Sequence, residues 1–389
     1  MSKHLNSLYK KLRRTTASNA FIPEIDGLRF LAIFLVVFLH LSQFVIDKTP
    51  FPLLDSPNDY WPLANFLNNG GRGVYLFFAI SGFILALPFA RHYLANQKKI
   101  RLKDFYRKRL TRLEPPYIIV TLLCFFLLIL KGKYGLTELL APLGSSLLYL
   151  HNIFPLGPYI NGVAWSLEVE VQFYILVPLF TLLFKLRPLI RRSAFIFIIL
   201  LFPILNYYLQ SPYKSLYSYL HFFFIGFLLA DLFVSEFKIR LNKISSLAIG
   251  LPAFLALIYI DLSSSLLNQL VFPMLIFVFY YLALNDQIWK RVWSQKVFTT
   301  LGGMCYTIYL IHVPIMSGIG NISAHWQFSQ HYIPTLLIQG LIIIPIMILS
   351  SFAFFLLVEK PCMDKDWPRK LWERIRAKKE KTQVIFKGN

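Results

Sequence analysis

The chain has 389 residues, of which 56% are hydrophobic and only 15% charged, and its mean hydropathy is +0.56. A soluble domain is about 45–50% apolar and about 25% charged, so a soluble enzyme, a disordered chain and a disulfide scaffold are excluded. The net charge of +21 would point to nucleic acid on a soluble protein; on a membrane protein the position of the charges decides its meaning.

In chain order, residues 1–26 are polar and basic. An apolar run from Gly27 to Ile46 follows. It is too long for a signal-peptide core and no small-residue cleavage site follows it, so it reads as an uncleaved first span. Further apolar runs lie at 73–90, 113–130, 163–184, 194–210, 216–234, 245–261, 267–284, 298–318 and 334–358. A bilayer-crossing helix needs about 20 apolar residues, so the pattern predicts an all-α polytopic membrane protein with about ten transmembrane helices. The stretch 137–154 is apolar but broken by Pro142, Gly144, Ser145 and Ser146. It reads as a re-entrant or interfacial segment, which is allowed only where protein covers its backbone. Three regions result: a basic N-terminal segment at 1–26, a ten-helix membrane domain at 27–358 and a basic tail at 359–389. Cys124, Cys305 and Cys362 have no metal or disulfide spacing, and no metal site is expected.

Charge tests the ten-span reading. With the N-terminus inside, 34 Lys and Arg fall in inner segments and 5 in outer ones, with Arg29 at the inner end of the first span. That is a positive-inside pattern, which adding or dropping a span would scramble. Both termini are therefore expected in the cytoplasm. The net charge becomes an orientation signal and an attraction to anionic lipid, and no nucleic-acid partner is expected.

Ionisable residues inside spans are costly and are functional candidates by default. Here they are His40 in the first span, Glu168 and Glu170 in the fourth, Asp231 in the sixth and His312 in the ninth, with Ser81 in the second. Counting about 1.5 Å per residue from the outer face, His40, Glu170, His312 and Ser81 all lie roughly 9–12 Å deep. Arg29 lies eleven residues before His40, at the inner face with Arg107, Arg109 and Arg112. A basic inner mouth below such a layer suits a long substrate with an anionic head, and acyl-coenzyme A has that shape. A transporter or flippase for a glycan or lipid-linked precursor is the alternative reading. It would favour an internal repeat, and none is visible.

These residues also carry a resemblance. EIDGLRFLAIFLVVFLH sets Arg29 and His40 in an Arg-x10-His spacing; GVYLFFAISGFIL contains Ser81 and Gly82; FYRKRLTRLEPPY contains Arg109, Arg112, Pro115 and Tyr117. VAWSLEVEVQFYILVP carries Glu170, LGGMCYTIYLIHVPI carries His312, and Glu359 to Pro361 close the last span. In this order and on these spans, the chain resembles the acyltransferase-3 family of integral membrane O-acyltransferases from end to end. Two departures are visible. Many members have two adjacent acids at the glutamate motif, whereas here Val171 takes the second place and Glu168 lies earlier. Some members carry a fused periplasmic SGNH hydrolase-like domain, which is not expected here.

The resemblance implies a bacterial inner-membrane enzyme moving an acyl group, usually acetyl, from cytoplasmic acetyl-CoA or another acyl-CoA to a glycan hydroxyl. It implies His40 as general base, with Glu170 supporting the imidazole as a triad carboxylate does or pairing with an arginine. Arg29, Arg109 and Arg112 would hold donor phosphates. Ser81 has three readings: donor to an oxyanion, acyl acceptor, or packing partner of Gly82. Glu168, Tyr174 and His312 are candidate substrate or support residues. Lys98, Lys99 and Lys103 are read as orientation signals, His151 and Asn152 as possible acceptor contacts, and self-association is left open.

Overall fold

The structure is a computed structural model that describes residues 21–326, 329–364, 366–370, 372, 373 and 376. Most of the basic N-terminal segment and the end of the basic tail lie outside these residues. All elements are helical: α1 (Pro23–Lys48), α2 (Trp61–Asn68), α3 (Arg72–Leu94), α4 (Leu102–Leu130), α5 (Leu136–Leu147), α6 (Trp165–Phe180), α7 (Pro188–Leu209), α8 (Leu216–Val234), α9 (Lys243–Tyr259), α10 (Leu266–Asn285), α11 (Gln287–Trp293), α12 (Lys296–Gly303), α13 (Cys305–Ser323), α14 (Tyr332–Phe354) and α15 (Lys360–Cys362). Among the described residues, nine helical stretches are long and apolar enough to cross a membrane.

The seventh expected span is α9, which has only 17 residues. At 1.5 Å per residue it is about 25 Å long, at the short end of the spanning range. It still crosses the bundle. Near its start, the Ser246 carbonyl accepts from Trp289 Nε1 at 3.4 Å. Beyond its far end the carbonyls of Leu257 and Ile258 accept from Arg72 at 2.9 Å each, and Arg72 also donates to Ile260. The last carbonyls of a helix have no partner within it, and a guanidinium at that end also opposes the helix dipole. Arg72 supplies both needs from the start of α3.

Two boundaries differ from the sequence reading. The run expected as one span at 298–318 is broken at Met304, which is fully buried between α12 and α13. Gly302 and Gly303 precede the break, and glycine is a poor helix interior residue. The segment 91–112 is not all loop: α4 starts at Leu102, so Arg107, Arg109 and Arg112 sit on its first turns.

Helix α8 is the packing centre. Leu220 to Leu232 is buried without interruption, as expected of a helix that is apolar all round. Its Gly226 meets α3 so closely that a Cβ there would lie 2.1 Å from the Phe83 nitrogen. A Cβ on Gly82 would lie 2.1 Å from the Phe223 carbonyl oxygen. Small residues permit such backbone contact between membrane helices. Around this contact Phe173 stacks on Phe223 at 4.0 Å and Phe184 on Phe227 at 5.6 Å. Asp231, buried at the end of α8, is held by Arg191 and by Arg192 at 2.7 Å. This site is structural and lies apart from the other intramembrane polar groups.

Overpacking an interior costs about 1–3 kcal/mol and occasionally more. Gly226→Leu drives a side chain into backbone, which cannot yield as a side chain can. The expected outcome is loss of monodisperse protein after detergent extraction, or a melting midpoint lowered by at least several degrees, read by fluorescence size-exclusion thermostability.

Candidate active site

A cavity of about 700 Å³ opens between α1, α3, α4, α6 and α13, within the range of small-molecule sites. Its mouth is rimmed by Arg91, Lys98, Lys99, Arg101 and Lys108; Asp26, Arg29, Arg109 and Arg112 line its walls. Its inner end is formed by Ser81, Ser166, Glu170, Tyr174 and Tyr309. The bundle therefore joins the three arginines singled out in the sequence to Ser81, Glu170 and Tyr174 in one continuous space.

The cations differ in how they are balanced. Arg29 is paired with Asp26 one turn away at 2.6 Å. Arg112 is paired with Glu359 at 3.3 Å, and Glu359 also accepts from Thr307 at 2.6 Å. A π turn at Phe355–Glu359 carries that carboxylate, and such turns recur at functional sites. Arg101 pairs with Asp104 at 2.7 Å. Arg109 has no carboxylate partner among the described residues: it lies over the Phe105 ring at 3.6 Å, donates to the Phe105 carbonyl at 2.8 Å and faces the Tyr174 ring at 5.8 Å. Lys98, Lys99 and Lys108 likewise form no ion pair among the described residues. The uncompensated charge of the mouth is thus on Arg109 and these lysines.

Glu170 accepts from Ser81 Oγ at 2.5 Å and from the Tyr174 hydroxyl. No hydrogen bond joins it to His40 among the described residues. Glu168 faces elsewhere, as a two-residue step of about 200° on a helix requires. It is buried and accepts from the Asn152 backbone N–H at 2.8 Å.

His40 meets His312 instead: His40 Nδ1 lies 3.2 Å from His312 Nε2, with ring centroids 5.0 Å apart. Neither histidine lines the cavity. Tyr309 connects the two regions. Its side chain lines the cavity, its ring lies 6.5 Å from that of His312, and its carbonyl is 2.8 Å from His312 Nδ1.

The segment expected to be re-entrant or interfacial forms α5 and then folds into the bundle. Residues His151, Asn152, Ile160, Asn161 and Val163 are buried, and protein covers the backbone as required away from water. Pro314 has no N–H to bond the Leu310 carbonyl four residues earlier. Asn161 Nδ2 donates to that carbonyl at 3.3 Å, so the loop repairs the helix that presents His312. Ser145 Oγ donates to the Pro142 carbonyl at 3.0 Å and lies 3.0 Å from His151 Nδ1. His151 and Asn152 are committed to this loop.

The sequence reading passed over several residues of the site. Asp26 stands three residues before Arg29 on the same helix face, a signal that was readable. Tyr309 stands one turn before His312. Lys98 and Lys99 line the mouth, whereas Lys103 does not. The Glu359–Arg112 pairing spans 247 residues and left no local signal. Among the described residues, no group of three or more His, Cys, Asp or Glu is placed to hold a metal ion.

A cavity charged at one face and ending in hydroxyls and a carboxylate inside a helical bundle defines a multi-pass membrane protein that can draw a ligand with a charged head into the bilayer. The comparison with protein families gives the class its name: residues 22–358 match the acyltransferase-3 model, described as an acyltransferase domain, and the chain belongs to that family. It is similar to O-acetyltransferase OatA of Staphylococcus aureus strain NCTC 8325 / PS 47, with 24% identity over 366 residues, 86% of this chain and 57% of the relative. It is also similar to SACOL0978 of S. aureus strain COL, named as a candidate O-acetyltransferase, with 24% identity over 357 residues, 83% of this chain and 54% of the relative. The chain thus spans just over half the length of these relatives. No solved structure matches it.

Burial holds the His151 imidazole below its ordinary pKa. The unfolded chain then binds more protons below about pH 6.5, so this residue's contribution to stability is complete above that value and is lost as pH falls through it. The wild-type melting midpoint should drop between pH 7.5 and pH 5.5, and His151→Gln should flatten that slope; an unchanged slope would remove His151 as its source.

Proposed function

We propose that the protein is a membrane O-acyltransferase, and specifically an O-acetyltransferase, of the bacterial inner membrane. It takes an acyl group from cytoplasmic acyl-CoA at the basic mouth and delivers it to a hydroxyl of an extracytoplasmic or lipid-linked glycan. Both termini then lie in the cytoplasm, in line with the positive-inside distribution. The observation that carries the reading is the cavity, which runs from uncompensated cations at one face to Ser81, Glu170 and Tyr309 inside the bundle. Its volume suits a pantetheine arm with its nucleotide, and the names of the relatives favour acetyl.

In this reading Lys98, Lys99, Lys108 and Arg109 meet the donor phosphates. Their charge is free, whereas Arg29 and Arg112 are neutralised by Asp26 and Glu359 and shape the wall. The thioester end advances past Tyr309 to His40. His40 takes the proton of the acceptor hydroxyl as its oxygen attacks the thioester carbonyl. The carbon–sulfur bond breaks, and the departing thiolate takes the proton from His40. The products are an ester and free coenzyme A. Glu170 holds Ser81 and Tyr174 in place at the end of the channel.

Inside-out membrane vesicles given radiolabelled acetyl-CoA should transfer label to glycan, and His40→Ala should abolish transfer while the protein remains inserted. Full labelling by His40→Ala would reject the base assignment. Exposed charge pairs are worth about 0.2–1 kcal/mol each, so combined Lys98→Ala, Lys99→Ala and Lys108→Ala should raise KM for acetyl-CoA roughly tenfold. The difference from wild type should shrink as salt increases. An unchanged KM at low salt would place the phosphates elsewhere.

A further inference from the structure

We propose that His312 is a positioning residue that fixes the tautomer of His40, leaving the lone pair on His40 Nε2. The inference rests on the reading of His40 as the base, and it goes beyond it by assigning the group that prepares the base.

A backbone carbonyl can only accept a hydrogen bond, so any ring nitrogen bonded to one must carry the proton. His312 Nδ1 lies 3.0 Å from the Ile308 carbonyl and 2.8 Å from the Tyr309 carbonyl. It is therefore the N–H of that ring, and neutral His312 has a bare Nε2. His40 Nδ1 lies 2.9 Å from the Val36 carbonyl and 3.2 Å from His312 Nε2. It too must be N–H, shared between two acceptors, and neutral His40 has its lone pair on Nε2. The two assignments agree, because a donor on one ring meets an acceptor on the other. The opposite tautomer of His40 would set two lone pairs against each other at Val36. A protonated His312 would set two N–H groups against each other.

This order runs one way, from the α13 backbone through His312 to His40. The orienting task that a carboxylate performs in a serine triad falls here to a neutral imidazole, fully buried on α13. When His40 takes the acceptor proton on Nε2, its Nδ1–H still points at a lone pair. Glu170 is not needed for this step, consistent with its commitment to Ser81 and Tyr174.

The test pairs kinetics with spectroscopy. His312→Gln keeps a carbonyl acceptor near the position of Nε2, whereas His312→Leu has none. His312→Leu should lower kcat on the order of 10²-fold or more with KM for acetyl-CoA unchanged, and His312→Gln should recover a large part of that loss. In the wild-type protein in nanodiscs, 15N-histidine spectra assigned by loss of signal in His40→Ala should show His40 protonated on Nδ1 and bare on Nε2. A His40 bare on Nδ1, or full kcat in a folded His312→Leu, would overturn the inference. Loss of both kcat and apparent substrate affinity in His312→Gln would mark a packing role and overturn it as well. Failure of the base assignment reads differently: His40→Ala would stay active whatever the tautomer.

Discussion

Hydrocarbon offers no partner to a polar group, so every carbonyl, amide and charge in this bundle must find one within the protein. Much of the architecture follows from that constraint. Arg72 crosses from α3 to hold the carbonyls at the end of α9. Pro115 frees the Thr111 carbonyl, and Trp367 Nε1 donates to it at 2.9 Å. Pro314 frees the Leu310 carbonyl, and Asn161 answers from the inserted loop. Each repair ties together segments distant in sequence, so backbone satisfaction and tertiary structure are the same bonds.

The same constraint sorts the charges. A buried ion without a partner is strongly destabilising, and the deepest charges come in pairs: Asp26 with Arg29, Glu359 with Arg112, Asp231 with Arg191 and Arg192. Cations at the mouth can stay unpaired because water reaches them. A charge already matched by a neighbour has less attraction left for a ligand, and position alone does not reveal which cations are matched.

Much of the fold was legible. Apolar runs placed the long helices, and charge alternation demanded a crossing where α9 is too short to stand out by length. Two misplaced boundaries, at Met304 and at Leu102, share a cause. Hydropathy reports where lipid can be, and a helix can break inside the protein or extend beyond the lipid without changing it. At the site, the 3.6-residue period already separated Glu168 from Glu170. It could not reveal that His40 would meet His312 across 272 residues, or that the carboxylate would turn to Ser81 and Tyr174. Depth gave the layer in which these groups lie, while rotation about each helix axis chose their partners.

The π turn at Phe355–Glu359 has a consequence for how this chain can vary. A π turn holds one more residue than the α-helical turn it replaces. Losing a single residue from 355–358 would restore a regular helix and rotate everything after it by about 100°, carrying Glu359 away from Arg112 and Thr307. Substitution within these four positions changes only what faces the surroundings, whereas a change in their number alters the phase of the chain's end. Length in this short segment is therefore under a tighter constraint than residue type.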